Sequence, residues 1–268
     1  DERRTLPHSA TPTDAVTNAM IAATDYWNDD EGDNLVPSNG PPSNKTYDAL
    51  IDAIDSYFKH WPLDIDKLQP YRLPNGEPFI EKTFDFPIAG TSHPITGKPI
   101  IYCGRLDMLG VWDNTDLTMV LDEKTSTQLG QHWANNWPMR GQFTGYSKGV
   151  NLYDIPVRNI IVRGIGILKG DITFAENIQT REQWRIDRWL WQLRRNVNTA
   201  IDIWKEMRRV AEENGTNIRT DMHWDQNMDS MCSNYGGCPY LDLCTSPNPD
   251  RWTGSYDEFR WNPLLNRD

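Results

Sequence analysis

The stretch Ile100-Ile101-Tyr102-Cys103-Gly104-Arg105-Leu106-Asp107-Met108-Leu109-Gly110 decides the fold, read together with Leu117-Thr118-Met119-Val120-Leu121-Asp122-Glu123-Lys124 downstream. Both arms are rich in β-branched and apolar residues, and Asp113-Asn114-Thr115-Asp116 between them supplies turn chemistry. The pattern predicts a β-hairpin. With the turn centred between Asn114 and Thr115, residues whose numbers sum to 229 face each other, which sets Asp107 opposite Asp122 and Arg105 opposite Lys124. Facing side chains in an antiparallel ladder stand roughly 5 Å apart at Cβ. Two carboxylates held that close repel, and a shared proton or a bound cation relieves the repulsion. Lys124 follows Asp122 by two residues and so shares its strand face. Two acidic ligands beside an ammonium are the equipment of metal-assisted phosphodiester hydrolysis with Mg²⁺ or Mn²⁺. The plain alternative is an exposed hairpin whose polar face carries Asp, Asp and Lys, because Asp-x-Lys recurs by chance.

Gln142 and Tyr146 stand four residues apart, one turn from each other on a single helix face. Asp in one strand, Asp-x-Lys-Thr in the next and Gln-x-x-x-Tyr on a following helix resembles the PD-(D/E)XK nuclease superfamily. More narrowly, it resembles the RecB-type branch that includes CRISPR adaptation nucleases and phage exonucleases. The matching residues are Gly104-Arg105-Leu106-Asp107, Asp122-Glu123-Lys124-Thr125 and Gln142-Phe143-Thr144-Gly145-Tyr146. The resemblance implies a restriction-endonuclease-like fold: a mixed central sheet flanked by helices, here with a C-terminal cysteine-bearing tail. It implies that Asp107, Asp122 and the main-chain carbonyl of Glu123 hold Mg²⁺ or Mn²⁺, that Lys124 is catalytic, and that Gln142, Tyr146 and Arg105 face the substrate. The Glu123 side chain points to the opposite strand face from Asp122. The implied activity is hydrolysis of DNA, as an exonuclease on ends or single strands in recombination, repair or phage DNA processing. A structure-specific endonuclease, or a weakened nuclease fold serving as a DNA-binding subunit, stands beside it. The weakened reading has a motive: members of this family often carry an early Gly-x-x-x-His, where this chain has Ser9 and Thr13. His8 reads as a surface histidine ahead of a helix opened by Pro12, and Asp14 as a first-turn acid.

Cys232, Cys238 and Cys244 resemble the C-terminal trio with which several RecB-type nucleases hold a [4Fe-4S] cluster. Such a cluster takes four thiolates. Cys103, about 13 Å along the strand from Asp107, reads as a core residue. The sequence opens on Asp1 rather than Met, so the fourth ligand is expected upstream. Zinc and disulfides are the competing readings. Against zinc stands the absence of Cys-x-x-Cys spacing, and against disulfides the odd local count.

The net charge of -11 argues against non-specific coating of DNA, which needs broad positive surface. Charge is uneven, however. Asp29, Asp30, Glu31 and Asp33 form an acidic loop, whereas Arg181, Arg185, Arg188, Arg194, Arg195, Lys205, Arg208 and Arg209 make a basic path along one helical stretch. The same stretch carries an apolar stripe of Trp184, Leu190, Trp191 and Ile201, as a solvated amphipathic helix would. Trp133 and Trp137, a helical turn apart, are expected to pack against the sheet. No Gly-x-x-x-x-Gly-Lys loop occurs, so helicase or ATPase function would come from a recombination partner. With no signal peptide and no apolar run long enough to span a bilayer, the expectation is a cytoplasmic protein, host cytoplasm included if phage-encoded.

One domain over 1–268 is expected, with a helical part at 1–75, a catalytic core at 76–180, and a long helix and cysteine-rich tail at 181–268. Within it the patterns predict helices at 13–27 and 46–60, strands at 79–88, 99–110, 117–124 and 157–168, a helix at 131–147 broken at Pro138, and a long helix at 181–213.

Overall fold

A computed structural model describes residues 11–29, 46–168, 171–215, 238, 240–246 and 251–256. Helix α1 (Pro12–Asp29) starts where the sequence signals it: Pro12 is the first helical residue, the Thr11 hydroxyl accepts from the Asp14 N–H, and the Asp14 carboxylate accepts from the Thr11 N–H at 2.9 Å. The Thr11 hydroxyl, which also donates to Asp14 Oδ2 at 2.7 Å, and then the Thr11 N–H hold the Asp14 carboxyl below its ordinary range. Helix α2 (Tyr47–His60) is opened by Thr46, whose hydroxyl accepts from the Ala49 N–H.

Six strands follow: β1 (Leu68–Pro70), β2 (Ile80–Pro87), β3 (Ile101–Trp112), β4 (Thr118–Ser126), β5 (Asn159–Leu168) and β6 (Asp171–Thr180). They form a mixed sheet in the order β1-β3-β4-β5-β6, with β2 also pairing β3. The β3–β4 hairpin has the register read from the turn: Met108↔Leu121, Leu109↔Val120, Gly110↔Met119 and Val111↔Thr118 each sum to 229. Asn114 turns the chain in the left-handed region at φ 56°. Strand β5 runs parallel to β4, and β6 returns antiparallel along all ten residues of β5. Buried from Ile160 to Gly164, β5 reads as an apolar run interrupted by Arg163, as a strand covered on both faces does.

Between β4 and β5 the expected helix is two helices, α3 (Gln131–Asn135) and α4 (Gly141–Asn151), with Pro138 in the connection. Helix α5 (Gln183–Asn214), the short α6 (Leu241–Thr245) and a 3-10 turn (Thr253–Ser255) complete the described elements. Trp133 and Trp137 are buried and meet edge to face, as expected.

The chain divides into two compact units. Residues 1–85 and 103–189 carry the sheet and α1 to α4, with a core of Leu68, Met108, Met119, Leu121 and Ile161. Helices cover the sheet: α2 packs against β5 and β6, and α4 packs through the Phe84 ring. Residues 86–102 and 190–268 form the other unit. In it Phe86 stacks on Tyr102, and Asn198 donates to the Gly90 carbonyl.

Gly104 and Gly149 are both explained by one ring. A Cβ at Gly104 would lie 2.7 Å from Phe84, and one at Gly149 2.4 Å from it. Gly149→Ala is therefore expected to destabilise by about 1–3 kcal/mol, the usual cost of overfilling a packed core. Urea unfolding measures it, and Phe84→Leu in the same chain is expected to recover most of the loss.

Candidate active site

The pairing of β3 with β4 ends at Met108↔Leu121, and Asp107 and Asp122 are the next residues along that register. Here the strands exchange a side-chain contact: the Glu123 N–H donates to Asp107 Oδ2 at 3.3 Å. Asp107 is half-buried, whereas Asp122 is fully buried. Burial above all, and then the negative charge of Asp107, pushes the Asp122 carboxyl up to about 6, against the pull of Lys124. The Lys124 ammonium lies 2.6 Å from Asp122 Oδ2 and is the cation that faces this buried oxygen. The other oxygen, Oδ1, accepts from Gln142 Nε2 at 3.3 Å, and the same amide donates to the Tyr146 hydroxyl at 2.6 Å.

Five of the residues singled out in the sequence are thus brought together: Asp107, Asp122, Lys124, Gln142 and Tyr146. Their roles differ in reach. Tyr146 is buried against Phe84 and Phe143 and is joined to the carboxylates through Gln142. Arg105 is half-exposed and pairs with Glu81 at 3.0 Å, in a strand whose backbone at Glu81 takes φ 50°. The Glu123 side chain goes to the other sheet face, as the alternation requires, and accepts a hydrogen bond from the Tyr57 hydroxyl.

Sequence reasoning missed that second face. There Arg163, 2% exposed, pairs with both oxygens of Asp66 at 2.8 Å and with Glu176 at 3.1 Å, and lies over the Trp61 ring. Burial works to lower the Arg163 pKa, but the hydrogen bonds it donates to Asp66 and the charges of Tyr57 and Asp66 raise it on balance. The only signal in the sequence was an arginine interrupting the most apolar run of the chain.

Among the described residues no group of three or more His, Cys, Asp or Glu side chains is placed to hold a metal ion. Two carboxylates, Asp107 and Asp122, are what the hairpin brings together. His8 and Cys232 lie outside the described residues, and Cys103, Cys238 and Cys244 form no disulfide with one another. The expected core placement of Cys103 is only partial; it is half-buried, and burial, then Asp85, raises its thiol pKa. The expected basic path is much reduced. Arg181 is buried against the Trp137 carbonyl and the Thr144 hydroxyl, while Lys205, Arg208 and Arg209 pair with acids one turn away on their own helix.

No family model matches the chain, and no curated protein matches it. The solved structure of SSO0001 is similar at 18% identity over 41% of this chain, with a TM-score of 0.25. The chain spans about half the length of that protein, 46%. No described helix is long and apolar enough to cross a membrane.

Proposed function

We propose that the chain is a metal-dependent deoxyribonuclease on a restriction-endonuclease-like core, an exonuclease acting on DNA ends or single strands. The observation that carries this reading is Asp122: a wholly buried carboxylate held beside a second carboxylate, with a lysine ammonium 2.6 Å from one of its oxygens. A buried anion next to another anion is costly, and a hard divalent cation is the partner that would relieve both. Asp107, Asp122 and the Glu123 carbonyl fit Mg²⁺ or Mn²⁺, which typically take one or two carboxylates and keep several waters. When bound, such an ion would polarise a phosphoryl oxygen and lower the pKa of water.

The chain's own residues supply the rest. Lys124 carries a positive charge to where negative charge develops on the phosphate. Gln142 fixes Asp122 Oδ1, and Tyr146 fixes Gln142, so that the carboxylate plane is set before substrate arrives. Arg105 offers a guanidinium to a backbone phosphate in exchange for Glu81.

The test is an end-labelled linear duplex and a covalently closed circle incubated with Mn²⁺. Degradation of the linear DNA with the circle intact is expected. Lys124→Ala is expected to lower turnover by roughly 10² to 10³-fold, the scale of one lost electrostatic contact to a transition state. Cutting of the closed circle would favour the endonuclease alternative. Because no third acidic or histidine side chain joins Asp107 and Asp122 among the described residues, a weakened fold is the second reading; DNA binding with no Mn²⁺-dependent turnover would decide for it.

A further inference from the structure

Glu123 is the residue around which the proposed metal face is built, although its carboxylate is not on that face. Its N–H donates to Asp107 Oδ2, its neighbours in sequence are Asp122 and Lys124, and in the proposed function its carbonyl is the third oxygen offered to a cation. The position of that one peptide therefore fixes the spacing of the two carboxylates.

What fixes the peptide lies on the opposite face of the sheet. The Tyr57 hydroxyl, on α2, donates to Glu123 Oε1, and Arg163 Nη1 lies 3.5 Å from the same hydroxyl. Arg163 is the register partner of Glu123 on the parallel strand β5 and is itself locked by Asp66. The contact stands at the wall of a cavity of about 290 Å³ whose lining is mostly apolar, Leu50, Ile54, Phe58 and Ile165 among it, with Thr125 as a further polar side chain.

We propose that Tyr57 is a positioning residue for the metal face: through the Glu123 carboxylate it holds the Glu123 peptide, and with it the separation of Asp107 and Asp122. The inference rests on the reading of that face as a metal site. It adds a tether that runs through the sheet from a helix carrying no residue of the site. A polar partner behind a first ligand commonly sets metal affinity, and here the partner acts across a strand instead of beside the ion.

Direct Mn²⁺ binding to the full chain, by titration calorimetry without DNA, tests it. Wild type is expected to bind and Asp122→Asn to bind no ion; if wild type binds no better than Asp122→Asn, the metal reading fails and the tether with it. Given wild-type binding, Tyr57→Phe is expected to weaken affinity roughly tenfold, the low end for loss of a supporting hydrogen bond. Glu176→Gln is the control, because it cuts into the same Arg163 cluster without touching Glu123. It is expected to lower the melting temperature while leaving Mn²⁺ affinity unchanged. Equal loss of affinity in Tyr57→Phe and Glu176→Gln would reduce the network to general stability and overturn the proposal. Glu123→Ala removes the acceptor end of the bond and keeps the main-chain carbonyl, so it reads the tether independently if Tyr57→Phe does not fold. Combined, the two substitutions are expected to weaken binding no further than either alone, since both break one contact. Additive losses would overturn the proposal.

Discussion

Asp122→Asn is expected to abolish Mn²⁺-dependent DNA cleavage and, at the same time, to make the protein more stable at neutral pH. The first effect follows from loss of the carboxylate charge that a divalent cation requires. A fall of about 10³-fold, equivalent to about 4 kcal/mol of transition-state stabilisation, is the expected scale. The second follows from burial. In the folded chain this carboxyl titrates at about 6, against an ordinary value of 3.8. The folded state therefore holds the proton more tightly than the unfolded state does. The stability this group contributes is fully present below about pH 3.8 and is lost as pH rises through about 6. At pH 7 the ionised form costs about 3 kcal/mol, with Asp122 wholly buried and little solvent to screen it. An amide of the same shape escapes that cost, keeps its acceptor for Gln142, and stabilises by about 1–3 kcal/mol at pH 7. The gain is expected to vanish near pH 3. Urea unfolding of the metal-free protein at both pH values measures it. A variant less stable than wild type at pH 7 would contradict the account, because Asp122 would then be a structural carboxylate rather than one kept at the expense of the fold.

Arg163→Met is expected to be the most damaging single substitution to stability, at about 3–5 kcal/mol, the range for removing one partner of a buried ion pair. The guanidinium meets Asp66 through two hydrogen bonds of 2.8 Å, and both side chains are almost wholly inside. Without it the Asp66 carboxylate keeps the Leu68 N–H as a donor but loses its cation in a low-dielectric surrounding. Adding Asp66→Asn to Arg163→Met is expected to restore a large part of the loss, since it removes the stranded charge. Arg163→Lys should not substitute, because a point ammonium cannot bond both Asp66 oxygens, Glu176 and the Trp61 face together. Denaturant unfolding checks all three. A loss below about 1 kcal/mol for Arg163→Met would show that water reaches this cluster.

The parts legible in the sequence were those set by neighbours along the chain. The hairpin register came out residue for residue because strand alternation has a period of two and the turn at Asn114 leaves one solution that buries Leu121 and Met108 together. The start of the first helix was signalled by Pro12, and the break near Pro138 by the missing N–H. Strand β6 was not legible. Its Asp171, Glu176, Asn177 and Gln179 have weak strand preference, and it forms because all ten of its residues find partners on β5. Nor was the fate of the basic stretch: counted as charges it made a path, but Arg181 is spent inside on carbonyl oxygens and Arg208 and Arg209 on glutamates of their own helix.

By itself the sequence determined that Asp107, Asp122 and Lys124 would meet at the end of one hairpin, and that Gln142 and Tyr146 would share a helix face, because both are facts of backbone periodicity. Only the tertiary structure decided what that meeting costs and what stands behind it. Burial of Asp122 depends on β5 and α4, and the Tyr57–Glu123 and Arg163–Asp66 contacts join residues 66 and 97 positions apart. Nothing in local pattern encodes such pairs. They exist because folding removes water from both partners at once, and only then does each charge or hydroxyl have one place left to bond.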